Sequence, residues 1–86
     1  MSTSTTREKV ENELRGLLTE RFEVPAELIT PQAHVFGDLG LDSVDLMSAV
    51  AIMEERHQLS VADKDLENLL VIEGIIDHFT ALLERT

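Results

Sequence analysis

The sequence predicts an all-α protein, a small bundle of three main helices and one short one. Three observations lead there. The chain has 86 residues, enough for one small domain. Apolar residues recur at helical spacing in successive stretches, and no stretch alternates as a strand would. Pro25, Pro31, Gly37 and Gly40 fall together in one interval between the first two stretches. A chain this short buries roughly 60–65% of its unfolded surface, so the core is thin and leaves little room for a deep catalytic pocket.

Residues 1–6 read as a disordered, solvated tail, with Thr5 or Thr6 as helix cap, and residues 7–86 as the folded domain. The first helix is expected over about 6–21. Val10, Leu14, Leu17, Leu18 and Phe22 form one stripe of it. Residues 23–42 cannot be one helix, because Pro25 and Pro31 interrupt the backbone ladder and Gly37 and Gly40 permit turns. The interval still holds Leu28, Ile29, Val35, Phe36, Leu39 and Leu41, so it is expected to be an ordered loop packed on the helices, with a short turn at 26–29.

A second helix is expected from 43 to 57, with Leu46, Val50, Met53 and His57 on one face. Asp42 is its cap, and Asp45 three residues on makes an imperfect capping box. Met47 is grouped with Val50 and Met53 as core. Residues 58–63 form a polar connector. A short helical turn over 64–69 carries Leu66, Leu69 and Leu70 with it. The last helix spans 71–84, with Ile72, Ile75, Ile76, Phe79, Leu82 and Leu83 as its stripe. Gly74 inside it costs about 1 kcal/mol relative to alanine, which points to a close approach there.

Composition excludes several function classes. Seven basic residues stand against 17 acidic ones, for a net charge of −10. That repels nucleic acid and anionic membranes and favours basic partners. Aromatic residues are only Phe22, Phe36 and Phe79, so there is no stacking platform for single strands. There is no cysteine, hence no disulfide, thiolate metal site or thiol nucleophile. No apolar run approaches the roughly 18 residues of a membrane span, and Met1–Thr6 shows no secretory signal, so a cytoplasmic location is expected. Nine of the acids lie between Asp38 and Glu73, opposed there only by Arg56 and Lys64. Such a run is either a solvated face or a docking face for basic partners.

The most informative segment is Phe36-Gly37-Asp38-Leu39-Gly40-Leu41-Asp42-Ser43-Val44-Asp45-Leu46. A glycine-bearing loop delivers Ser43 to the first turn of a helix, where its hydroxyl can face solvent. Free backbone N–H groups and the positive end of the helix dipole lie beside it, which suits an anion. Asp42 and Asp45 oppose that preference. An isolated Asp-Ser pair is an ordinary helix start.

The longer string Asp-Leu-Gly-Leu-Asp-Ser-Val-Asp-Leu at 38–46 closely resembles the attachment motif of the acyl carrier and peptidyl carrier protein family. The resemblance runs over residues 8–83. It includes Ile29-Thr30-Pro31, Met53-Glu54-Glu55, the acidic connector at 63–67 and the stretch from Ile72 to Phe79. It implies a four-helix bundle of acyl-carrier-protein type, with a long ordered loop between the first two helices. It also implies that Ser43 bears 4′-phosphopantetheine, installed from coenzyme A by a phosphopantetheinyl transferase. The limb's thiol would carry a thioester cargo, which agrees with a polypeptide that has no thiol of its own. The expected function is a freestanding, monomeric carrier without catalysis of its own. Asp42 and Asp45 would help recruit the transferase. Asp38, Val44, Met47, Ser48, Ala51, Glu54 and Glu55 complete the expected docking set. Its partners would be a loading ligase or acyltransferase and downstream synthases or transferases with basic patches.

The chain departs from the family's common pattern. Val44 stands in place of the usual Leu, Ser48 and Ala51 in place of Glu and Met, and His57 in place of Phe. Leu70-Val71 replaces polar residues that usually open the last helix. These departures point away from central fatty-acid synthesis and toward a specialised lipid, polyketide or aminoacyl pathway. The rival reading is an acidic helical adaptor that binds a basic partner and is never modified.

Other chemistry finds little support. Ser43 and His57 are 14 residues apart on one expected helix, about 21 Å, far too distant for a nucleophile–base pair. No Gly-x-Ser-x-Gly elbow is present. Glu54 and His57 make a single Glu-x-x-His pair, whereas di-iron bundles need two pairs and two further carboxylates. No metal site is expected, and His57 reads as a partly buried helix-end residue. Val44 and Met47 are placed where they would border a groove for the limb or its cargo.

Overall fold

The structure, a computed structural model, describes the backbone of residues 2–85 and the side chains of residues 6–85. Three α-helices and two short 3-10 helices follow one another: α1 (Ser2–Glu20), η1 (Ala26–Leu28), α2 (Ser43–His57), η2 (Asp63–Leu69) and α3 (Ile72–Arg85). Apart from η1, a single turn inside the long loop, these are the three main helices and one short helix of the expected bundle.

Helix α1 begins at Ser2, a turn ahead of the start near residue 6 set by the apolar stripe. Ser2–Thr5 hold no apolar position, yet no proline or glycine stops the ladder there. Of the expected tail, Met1 and the side chains of residues 2–5 lie outside the described residues, and the backbone from Ser2 is helical. The stripe itself behaves as expected: Val10, Leu14, Leu17 and Leu18 are buried. They face α3, whose Ile72, Ile75, Ile76 and Phe79 close the core from the other side. Each such side chain taken out of water contributes about 1.5–3 kcal/mol. Arg7 joins the same two helices at the surface by pairing with Asp77, and with Glu73 at 3.8 Å. The hydrogen bond to Asp77 leads in holding the Arg7 guanidinium above its ordinary value.

Helix α2 contributes Leu46, Ala49, Val50 and Met53 to the core. Met47 does not join them; it is 48% exposed. It lies one residue past Leu46, about 100° around the helix, beyond the edge of the buried stripe. At the far end His57 Nε2 lies 2.7 Å from Glu13 Oε1, which ties α2 to α1. His57 is thus the half-buried helix-end residue that its position predicts.

The long loop is ordered by burial and by backbone bonds. Val24, Ile29, Ala33, Val35 and Leu39 all turn inward. Arg15 Nη1 donates to the Ile29 carbonyl at 2.7 Å. The first amides of α3 have no helical partner of their own, and the loop supplies them. Ile72 N–H donates to the Ala33 carbonyl at 3.0 Å and Glu73 N–H to the Pro31 carbonyl at 2.9 Å. An isolated bridge between His34 and Val71 completes the join. Gly74 stands where η2 meets α3. A Cβ on it would fall 2.2 Å from the Asn68 carbonyl oxygen, which is the close approach its presence in a helix predicts.

Candidate functional site

The turn before α2 is built by His34. Its Nδ1 accepts from the N–H groups of Phe36 at 3.1 Å and Gly37 at 3.3 Å. Its own N–H donates to Asp38 Oδ2 at 2.7 Å. Gly40 follows with φ +73°, a left-handed conformation that glycine adopts without strain. The chain then reaches Asp42 in extended conformation, and α2 starts at Ser43.

Asp42 and Asp45 cap the helix reciprocally. Asp45 N–H donates to Asp42 Oδ1 at 2.9 Å, and Asp42 N–H donates to Asp45 Oδ2 at 3.4 Å. The return bond is longer because aspartate is one methylene shorter than the glutamate usual in such a box. These two side chains complete the cap, so the Ser43 hydroxyl has no part in it. Ser43 is exposed, as are Asp42 before it and Val44 after it. The amides of Ser43 and Val44 lie in the first turn, where helical N–H groups have no intrahelical acceptor. A phosphodiester on Ser43 would meet N–H donors and open solvent, beside Asp42 and Asp45 carboxylates that are each turned to the other's amide, and the residues present fit that group.

The expected docking residues divide into two kinds. Val44 is 69% exposed, and it shares one face of α2 with exposed Met47, Ser48, Ala51 and Glu55. That face is apolar at its centre. Asp38, Asp45 and Glu54 also have internal duties. Asp38 holds the His34 turn, Asp45 closes the cap, and Glu54 Oε2 accepts from Val61 N–H at 2.6 Å to fix the connector after α2. Sequence reasoning placed Asp45 in its capping box but missed the backbone partners of Asp38 and Glu54, which lie four and seven residues away.

No described hydrogen bond joins a histidine or carboxylate to the Ser43 hydroxyl. His57 sits at the opposite end of the helix against Glu13, and the Nδ1 of His34 is occupied by two amides. Among the described residues, no group of three or more His, Cys, Asp or Glu is arranged to hold a metal ion. Grooves open elsewhere. One of about 620 Å³ runs past Lys9, Glu13, His57 and Leu83, and one of about 370 Å³ lies along the loop at Leu28, Thr30, Gln32 and Asp38. Neither is lined by Val44 or Met47, so the groove they were expected to border is absent among these.

Comparison with known proteins supplies the rest. Residues 12–79 match the sequence model of the family described as phosphopantetheine attachment site. An acyl carrier protein of Syntrophobacter fumaroxidans is 34% identical over 62 residues, covering 72% of this chain and 76% of the relative. One from Nitratidesulfovibrio vulgaris is 32% identical over 69 residues, covering 80% and 91%. In fold, a solved acyl carrier protein from Enterococcus faecalis superposes with a TM-score of 0.75 at 24% identity, covering 87% of this chain and 95% of that one.

Proposed function

The chain belongs to the phosphopantetheine attachment family, and from that premise we propose that it is a carrier protein whose 4′-phosphopantetheine is joined to Ser43. The observation that carries this reading is the exposed Ser43 hydroxyl, the first residue of α2, left without a capping duty by the Asp42–Asp45 box. When bound, the group supplies a thiol for thioester cargo. The chain's own residues present the attachment hydroxyl, keep it accessible, and offer a docking face. Members of this family carry groups rather than transform them, and no cysteine of this chain competes with the limb's thiol.

Residues 7–86 form the carrier domain. Its partners are a phosphopantetheinyl transferase, a loading ligase or acyltransferase, and downstream acyl-handling enzymes. Val44, Met47 and Ala51 give them an apolar contact, rimmed by Ser48, Asp38, Asp42, Asp45, Glu54 and Glu55. The cargo is an acyl or aminoacyl group of a specialised lipid, polyketide or aminoacyl pathway. Ser48 and Ala51 support this, since typical fatty-acid carriers bear Glu and Met on this face. His57 also supports it, engaged with Glu13 where such carriers bear Phe. Among the described residues no helix is long and apolar enough to cross a membrane, and a monomeric, cytoplasmic carrier is the reading adopted.

Intact-mass spectrometry tests the attachment. Incubation with coenzyme A and a broad-specificity phosphopantetheinyl transferase should add the mass of one phosphopantetheine. Ser43→Ala should abolish the gain and keep the wild-type circular dichroism, because the cap does not use Ser43. An unchanged mass on the folded wild-type protein would favour the unmodified adaptor. A gain that survives Ser43→Ala would move the attachment elsewhere.

A further inference from the structure

The groove of about 370 Å³ along the α1–α2 loop shares no lining residue with the exposed Val44, Met47 and Ala51 of α2 and meets the docking rim only at Asp38. It is lined by Glu27, Leu28, Thr30, Gln32, Ala33 and Asp38. Leu28 is 42% exposed while its neighbour Ile29 is only 2% exposed, so one leucine-sized side chain is held out of the core. Thr30 and Gln32 are exposed as well. Their side chains make none of the described hydrogen bonds.

The walls are fixed. Arg15 holds the Ile29 carbonyl, the carbonyls of Pro31 and Ala33 accept from α3, and Asp38 holds the His34 amide. A site fixed in this way loses little conformational freedom when a ligand settles on it.

We propose that this groove is the resting site of the distal, uncharged segment of the phosphopantetheine limb. The proposal rests on attachment at Ser43. Reach permits it: Asp38 lies five residues before Ser43, so their Cα atoms are at most about 18 Å apart. From phosphorus to sulfur the limb has roughly as many covalent bonds as five residues of backbone. With its phosphate at Ser43, the limb's distal amide and terminal methylenes can reach the groove at its Asp38 edge.

Chemistry selects the same ligand. Beyond the phosphate the limb is neutral, with amide N–H donors and carbonyl acceptors separated by short methylene segments. The Glu27 and Asp38 carboxylates accept from N–H donors and repel an anion. Thr30 and Gln32 can both donate and accept. Leu28 offers the apolar surface that the methylenes need. An anionic ligand finds no cation in the groove wall, whereas a neutral diamide finds acceptors, donors and one apolar contact.

The absence of cysteine makes the test direct, because the limb's thiol is then the one thiol of the modified protein. A nitroxide coupled to it should broaden the backbone amide signals of Leu28, Thr30 and Gln32 several-fold more than those of Val44 and Met47. The uncoupled holo protein should show NOEs between limb methylenes and the Leu28 methyls. A Leu28→Asp, Gln32→Ala double variant should lose both effects while the rest of its spectrum stays in place. Broadening spread evenly around Ser43, or centred on α2, with intact mass proving the limb present, would overturn the groove and leave attachment standing. A wild-type mass that never rises would overturn both, and the two failures are told apart by that one measurement.

Discussion

Ser43 and Thr80 are both hydroxyl residues on helices, and the fold gives them opposite circumstances. Ser43 is exposed and excused from capping, which leaves its oxygen available for chemistry. Thr80 is only 6% exposed, and its Oγ1 has no hydrogen-bond partner among the described residues. Thr19 shows the usual solution, donating from Oγ1 to the Arg15 carbonyl one turn back at 2.9 Å. A buried hydroxyl without a partner carries its desolvation cost uncompensated, about 1–3 kcal/mol. Valine has nearly the same shape and no such cost. Thr80→Val should therefore raise stability by about 1 kcal/mol, or the melting temperature by roughly 4–8 °C for a domain of this size. Thermal unfolding followed by circular dichroism measures it. A lowered melting temperature would mean that the hydroxyl is satisfied in solution and that its loss is felt.

At the scale of elements, the joint between η2 and α3 depends on Gly74. In an open helix Gly74→Ala would stabilise by about 1 kcal/mol. Here the new Cβ would fall 2.2 Å from a backbone oxygen of Asn68, an atom that cannot swing aside. The clash outweighs the propensity, and Gly74→Ala should destabilise by roughly 1–3 kcal/mol, the cost of overpacking. Urea denaturation reads this as a lower midpoint, and an unchanged or raised midpoint would refute it. That joint was legible only in part: Gly74 inside its apolar stripe marks a close approach, whereas Gly16 inside the α1 stripe has nothing within 4 Å of its Cβ position. The bounds of α2 were legible because Asp42 and Asp45 act locally. The exposed placement of Ser43 at that helix start was legible too, since its motif is contiguous. The start of α1 was not, since Ser2–Thr5 carry no periodic signal. Nor were the duties of His34 and Glu54. Each depends on amides brought within reach only once the chain has turned, and no pattern of residue types announces that. The exposure of Leu28 was equally hidden, because its neighbour Ile29 has the same character and takes the buried place.

On the scale of the whole molecule, a net charge of −10 on 86 residues sets a long-range field. Such a field speeds encounter with basic enzymes more than it holds them once docked. The proposed contact after encounter is apolar at Val44 and Met47, the two most exposed large hydrophobic residues among those described. Attraction and contact should then separate experimentally, provided that the variants leave the fold alone. Asp45 and Glu54 are poor choices for that, because each holds a backbone amide and its reversal would loosen α2 as well. Glu55 is exposed on the same face and takes part in none of the described ion pairs. Glu55→Lys should slow modification by the transferase roughly two- to fivefold at low salt, the size of one exposed charge pair. The deficit should shrink toward nothing near 1 M salt, where the screening length falls to about 3 Å. Met47→Ala should slow the same reaction by a factor that salt does not diminish, since apolar contact is not screened. Measuring kcat/KM for both variants across ionic strength settles the assignment. A Glu55→Lys deficit that persists undiminished at high salt would show that this carboxylate acts by direct contact and not through the field.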